Sequence, residues 1–217
     1  RTILQLTSLR HKTVRMPSII LASVSPRRRD ILAQMGLSAR LYPQDVDETI
    51  DQNSDPVVAA RALAVRKLES ARSRLDRDVH WVLGADTIVH VNGRMLGKPE
   101  DRKQAGEFIR ELSGKVHRVT TGLALLASPD AAIVTAHDEA EVRFAPVSDK
   151  EVEWYLSSEE WRGVAGAYRI QGKAACFIDS LSGSYSTVMG LPIRTLYSML
   201  LANGYPFLSE VQPEFPL

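Results

Sequence analysis

A single cysteine, Cys176, stands among 217 residues. One thiol excludes an internal disulfide framework and any zinc site built from several cysteines, so a reducing, cytoplasmic setting is the expectation. Charge of one sign is also missing. The 27 basic and 26 acidic residues leave a net charge of +1, which gives no global pull toward nucleic acid or a membrane surface, so any anion site must be a local cluster. No apolar run approaches the roughly 18 to 20 residues that would cross a bilayer. Internal repeats and low-complexity stretches are absent. So are the G-x-S-x-G nucleophile elbow and the G-x-x-x-x-G-K-[ST] phosphate loop. What the chain does have is 44% hydrophobic residues, enough for a sizeable core.

The first 17 residues, "RTILQLTSLRHKTVRMP", carry several bases and no acid. That composition fits a transit segment, a gene-model remnant or a plain basic arm. The expected organisation is a basic extension over 1–17 and one catalytic domain over 18–217.

Strand-like and helical patterns alternate along the domain. "SIILAS" reads as a buried strand, followed from Pro26 by a helix whose apolar positions are Ile31, Leu32 and Met35, stopped by Gly36. "ARLYP" is a further strand, and an acidic loop leads to a long helix with Pro56 at its first position. "HWVLGADTIVHV" is a strand that turns at Asn92-Gly93, a strong hairpin signal. A helix from Asp101 to Leu112, two strands around "SPD", a helix from Asp149 to Ser157, the strand "AACFIDSL" and a last helix near Pro192 follow. The fold class is α/β. Its hairpins predict a mixed sheet with flanking helices rather than a purely parallel one.

Several stretches carry chemistry. In "SVSPRRR", Ser25 suits an N-cap and Pro26 a first helical turn, which leaves free backbone N–H groups beside Arg27 and Arg28. A helix start of this kind binds phosphate, although bases in a first turn oppose the helix dipole and a solvated basic turn is the plain alternative. "LGADTIV" sets Asp86 at the C-terminal end of an apolar strand, where ligands of α/β proteins bind; an N-cap or turn aspartate is the alternative there. "DVDE" gathers Asp45, Asp47 and Glu48, hard oxygen donors suited to Mg²⁺ or Mn²⁺, or an exposed acidic loop. Lys67 interrupts the apolar face of the long helix, and so either snorkels to water or reaches an anion. Lys98 stands before a proline at a helix entrance. Glycines surround Tyr168 and Gln171, and His117 is expected to be a hydrogen-bonded strand histidine. Cys176, in an apolar strand, is expected to be buried and inert. Bases Arg27, Arg28, Lys67 and Lys98 with carboxylates Asp86, Asp47 and Glu48 together imply polyphosphate chemistry.

"LASVSPRR", "DVDE", "LGADTIV", "LGKP", "LSGKVHRVTTG", "AGAYRIQG" and "GSYSTVMGLP" follow one another in the order found in the Maf (septum-formation-related) proteins. The chain resembles that family from about Ile19 to Tyr205, with Val24 standing where Gly or Thr is common. The resemblance implies an elongated mixed sheet with two lobes around a cleft, of inosine-triphosphatase-like architecture. It implies a nucleotide pyrophosphatase that uses a divalent metal, Mg or Mn, to convert a nucleoside triphosphate to the monophosphate and pyrophosphate. Asp86 is implied as proton acceptor, and Asp86 with Glu48 as metal carboxylates. Ser23, Arg28, Lys67 and Lys98 are implied as contacts to the substrate. Arg27, Thr87 and Gln171 match the dTTP/UTP-type subgroup, some members of which also take CTP; the 7-methyl-GTP subgroup tends to Trp, Gln and Glu instead. A homodimer is a family expectation; nucleic acid and membrane are not expected partners. The alternatives are a pyrophosphatase for modified purine nucleotides and a non-catalytic, nucleotide-binding regulator of cell division.

Overall fold

In a computed structural model, residues 16–43, 46–76 and 78–208 are described. Fifteen of the 17 residues of the basic extension, and Asp45 of the acidic loop, therefore lie outside the described residues. In order the elements are β1 (Ile19–Ala22), α1 (Pro26–Gln34), β2 (Ala39–Leu41), α2 (Pro56–Arg72), β3 (Val82–Val91), β4 (Arg94–Leu96) and α3 (Arg102–Leu112). Then come β5 (Val116–Leu126), β6 (Val134–Phe144), α4 (Asp149–Leu156), two 3₁₀ turns (Ala165–Ala167 and Lys173–Phe177), β7 (Ile178–Ser182), α5 (Tyr185–Met189) and α6 (Ile193–Ala202). Seven strands form one sheet in the order β2-β1-β3-β5-β6-β7, with β4 on β3. Strand β1 runs parallel to β2 and β3, and the other pairs are antiparallel, so the sheet is mixed as expected.

Local chemistry explains the boundaries. Asp55 caps α2, its carboxylate accepting from the N–H groups of Val57 and Val58, and Asp101 caps α3 through Gln104 N–H. Asn92 and Gly93 both take positive φ in the β3–β4 turn, which an Asn-Gly pair supplies with little strain. Three expectations fail here. Asp86, expected at the C-terminal end of its strand, lies in the middle of β3, because the strand runs on to Val91. "AACFIDSL" is a strand only from Ile178, because Lys173–Phe177 wind into a 3₁₀ turn, and Cys176 in that turn is exposed rather than buried. Ser25 takes the N-cap position of α1, but its side chain caps nothing; instead Ser25 N–H donates to Ser23 Oγ at 3.1 Å.

Helix α2 lies against the sheet closely enough that two glycines are required. A Cβ on Gly84 of β3 would sit 2.1 Å from Ala64 O, and one on Gly122 of β5 would sit 2.4 Å from Ala60 C. The buried stripe Ala60, Leu63, Ala64, Lys67, Leu68, Ala71 makes that contact. The approach fixes Lys67 over the strand position two residues after Gly84, which is Asp86.

Two apolar clusters occupy the other face and give the molecule its two lobes. One packs α1 and α6 on β1, β3 and β5 through Leu32, Leu83, Leu123 and Leu196. The second packs α3 and α4 on the far halves of β3, β5 and β6 through Val89, Ile109, Val142, Tyr155 and Trp161. Between them β3 has an open edge. Strand β1 ends with Ala22 opposite Gly84, and β4 does not begin until Leu96 opposite Val89. Among the described residues, Ala85–Ile88 therefore face no strand on that side, and the gap is reached by side chains from both faces of the sheet.

Candidate active site

A cavity of about 530 Å³ occupies this gap. Of the residues the sequence put forward as binding or catalytic groups, it is lined by Ser23, Arg27, Arg28, Glu48, Lys67, Asp86, Thr87, Lys98 and Gln171, but not by Asp47. They come from the β1–α1 loop, the first turn of α1, the segment before α2, α2 itself, β3, the β4–α3 loop and the loop after α4. Neighbours on β3 point to opposite faces, yet both Asp86 and Thr87 reach the cavity because it straddles the sheet edge.

One pole is an ion-pair chain. Lys67 Nζ lies 2.8 Å from Glu48 Oε1 and donates to Asp86 Oδ1, while Lys98 Nζ donates to Glu48 Oε2. Lys67 and Asp86 are only 6% and 7% exposed. Such charges stay ionised inside a protein only when paired. Burial pushes the Glu48 carboxyl up, but hydrogen bonds and charge from Lys67 and Lys98 together outweigh it and hold it below the usual carboxylate range. Asp86 Oδ2 has no hydrogen-bond partner among the described residues. The bases thus do not merely face the carboxylates; they neutralise them. Asp47 stands outside the arrangement, contrary to its inclusion by sequence. It is exposed, and its Oδ1 accepts from Thr49 N–H at 2.8 Å, closing a local turn.

The second feature is a clamp around Arg28, which is 8% exposed. Its Nε donates to Gly190 O at 2.7 Å, Nη1 to Ser23 Oγ at 3.2 Å and Nη2 to Thr87 Oγ1 at 3.1 Å. Burial lowers its pKa, and the charges of Asp86 and Glu48 act the other way. Thr121 Oγ1 donates to Thr187 O at 2.8 Å and lies 2.9 Å from Thr87 Oγ1. Its proton being committed there, Thr87 must donate to Thr121 and accept from Arg28. Three of Arg28's five donors therefore tie α1, β3 and the α5–α6 turn together.

Arg27 is different. It has no hydrogen bond or ion pair among the described residues, and its pKa is pulled down to about 10 by burial and by the charges of Arg169 and Arg28. Arg169 also lines the cavity, and sequence reasoning missed it. The signal available was alternation: Tyr168 and Ile170 are buried, so Arg169 and Gln171 turn outward together. That loop is held by Gly166 N–H donating to Gly97 O at 3.1 Å and by Tyr168 OH at 2.8 Å from His117 Nε2. His117 is thus the hydrogen-bonded strand histidine expected, and burial, assisted by the charge of His90, drops its pKa to about 4.

A buried carboxylate, Asp86, and a partly exposed one, Glu48, converge on one cation position beside a cavity large enough for a nucleotide, which suits hard-cation and phosphate chemistry. Comparison with known proteins agrees with that class. The family model described as "Maf-like protein" matches residues 18–203. A dTTP/UTP pyrophosphatase of Pelotomaculum thermopropionicum is 42% identical over 190 residues, covering 88% of this chain and 98% of that protein. One from Symbiobacterium thermophilum is 43% identical over 191 residues, covering 88% and 96%. Among solved structures, a Ham1 protein of Staphylococcus aureus aligns over 86% of this chain and 99% of its own, at 11% identity and a TM-score of 0.48.

Proposed function

The chain belongs to the Maf-like protein family, and from that premise we propose that it is a nucleoside triphosphate pyrophosphatase acting on dTTP and UTP, with CTP a further substrate. The products are the nucleoside monophosphate and pyrophosphate. The observation that carries this reading is the cavity itself, in which Asp86 and Glu48 stand beside Lys67, Lys98, Arg27 and Arg28. The catalytic unit is 18–217, with 1–17 as an extension, and the working form is a cytoplasmic homodimer acting on free nucleotides rather than nucleic acid.

Asp86 and Glu48 would hold a divalent cation, Mg²⁺ or Mn²⁺. Their geometry fits one: carboxylate oxygens of both already converge on a single positive centre, the Lys67 ammonium. Ions of this class bind through one or two carboxylates together with substrate phosphates, so a closed cage of protein ligands is not needed. When bound, such an ion supplies charge neutralisation at the phosphates and makes a nearby water more acidic.

The chain's own groups do the rest. Lys67 holds Asp86 Oδ1 and so aims Oδ2, the unpartnered oxygen, as the acceptor of the attacking water's proton. Attack falls on the α-phosphorus. Lys67, keeping Asp86, turns another of its three N–H donors to a phosphate oxygen, and Lys98 does the same from Glu48, as charge grows on the leaving pyrophosphate. Arg28, with two donors left after its clamp is made, presents them at the start of α1. Gln171 offers both a donor and an acceptor to the edge of a pyrimidine. Ser23 positions Arg28, and Thr87 acts on selectivity through the same guanidinium. A pyrophosphate-release assay over common and modified triphosphates, with Mg²⁺ or Mn²⁺, tests the reading. UTP and dTTP should lead. Preference for 7-methyl-GTP would move the chain to the modified-purine alternative, and no release from any triphosphate would sink the assignment.

A further inference from the structure

The cationic side chains around the cavity are not equivalent. Lys67 and Lys98 are already neutralised by Asp86 and Glu48, and Arg28 spends most of its donors on Gly190, Ser23 and Thr87. Arg27 and Arg169 have no carboxylate partner among the described residues, although both are partly buried in the same cavity wall. Among the described residues the Arg169 side chain makes one hydrogen bond, from Nη2 to Arg162 O at 3.1 Å, and its Nε, sealed from solvent, has no partner there. Two partly buried guanidinium groups thus line one cavity, each without a counter-charge among the described residues. Burial together with the Arg169 charge accordingly depresses Arg27. An arrangement of that sort is relieved by an oxyanion, which guanidinium forks hold with paired, charge-assisted hydrogen bonds.

We propose that Arg169 is a further substrate-binding residue, which together with Arg27 grips the phosphate oxygens that leave as pyrophosphate. The assignment deepens the reading of the cavity as a triphosphate site and rests on it. The loop supports it mechanically. Gly166 is anchored to Gly97, and Lys173 N–H donates to Glu160 Oε2 at 2.8 Å, so Arg169 and Gln171 project from a segment tied at both ends. One short loop would then read phosphate with Arg169 and base with Gln171. That couples the two ends of the nucleotide.

The probe is inorganic pyrophosphate, titrated calorimetrically into the metal-free protein so that the result does not depend on turnover. Arg169→Gln should weaken pyrophosphate binding about ten- to hundredfold, the range for losing a charge-assisted hydrogen bond to an oxyanion. The UTP-to-CTP preference should stay within about twofold, since only the phosphate end is touched. Arg169→Lys, which keeps the charge and loses the fork, should bind between wild type and the Gln variant, and it serves as the test should the Gln variant fail to fold, with Arg169→Met, weaker than Lys, as its uncharged partner. Pyrophosphate affinity within twofold of wild type in the uncharged variant overturns the proposal. A changed base preference with unchanged pyrophosphate affinity also overturns it, and places Arg169 at the base. Failure of the enzyme to turn over UTP or dTTP would be a separate result, against the substrate reading and not against this site.

Discussion

Replacing Lys67 with methionine isolates the ion-pair chain. The methionine stem fills the space of the lysine stem, so packing against α2 is retained and the charge alone is lost. Its two contacts are not worth the same. The bond to Asp86 joins side chains 8% and 10% exposed, whereas Glu48 is 36% exposed and keeps Lys98. Breaking a buried pair from one side costs about 3–5 kcal/mol, because the other charge is left without a partner. The half-exposed Glu48 contact is screened and adds at most about 1 kcal/mol. Lys67→Met should therefore lose about 3–5 kcal/mol in urea unfolding at neutral pH, with an unchanged m-value. The cause is checked by Lys67→Met/Asp86→Asn, which removes the stranded charge and should recover about 2 kcal/mol or more. A single variant within 1 kcal/mol of wild type, or a double variant no more stable than the single, refutes the idea that Asp86 depends on Lys67.

The other perturbations address separate parts of the account. Asp86→Asn should keep the fold and lower kcat about two to four orders of magnitude, measured by pyrophosphate release; near-normal turnover removes Asp86 as proton acceptor. Gln171→Glu replaces a donor with an acceptor and should reduce kcat/KM for UTP and dTTP about ten- to hundredfold, with less effect on substrates whose base makes no use of the amide. His117, 1% exposed, titrates at about 4 in the folded protein against about 6.5 unfolded. The unfolded chain thus binds more protons between those values, so stability falls as pH drops from 6.5 toward 4, by roughly 2–3 kcal/mol at the acid end. In urea melts at pH 7 and 4.5, His117→Asn should show that much less acid destabilisation; an identical pH dependence in the two proteins argues against the buried histidine as its source.

The helices and long strands were legible because their signals are local. Asp55-Pro56 and Asp101 cap as their residue types predict, and Asn92-Gly93 turns where expected. Lys67 stood out because a charge breaks an apolar stripe, and the sequence left open whether it snorkels or reaches inward. The answer lies in Gly84 and Gly122, which let α2 approach the sheet until that position can only point at Asp86. Asp47 looked like Glu48 in sequence. One residue's difference along a loop sends one carboxylate to Thr49 and the other to two lysines. Arg28 and Thr87 join only through β3, α1 and the α5–α6 turn, which are far apart in the chain, and no spacing rule brings them together. Cys176 was misplaced because an apolar run cannot tell a strand from a 3₁₀ turn that leads into one.

In the proposed reaction the cavity directs water onto the α-phosphorus of a pyrimidine nucleoside triphosphate. Hydrolysis of UTP in ¹⁸O-enriched water, with the products resolved by mass spectrometry, tests it most directly. Uridine monophosphate should carry one ¹⁸O and pyrophosphate none. Label in the pyrophosphate would place the attack on the β-phosphorus, and release of orthophosphate with the diphosphate would contradict the pyrophosphatase chemistry itself.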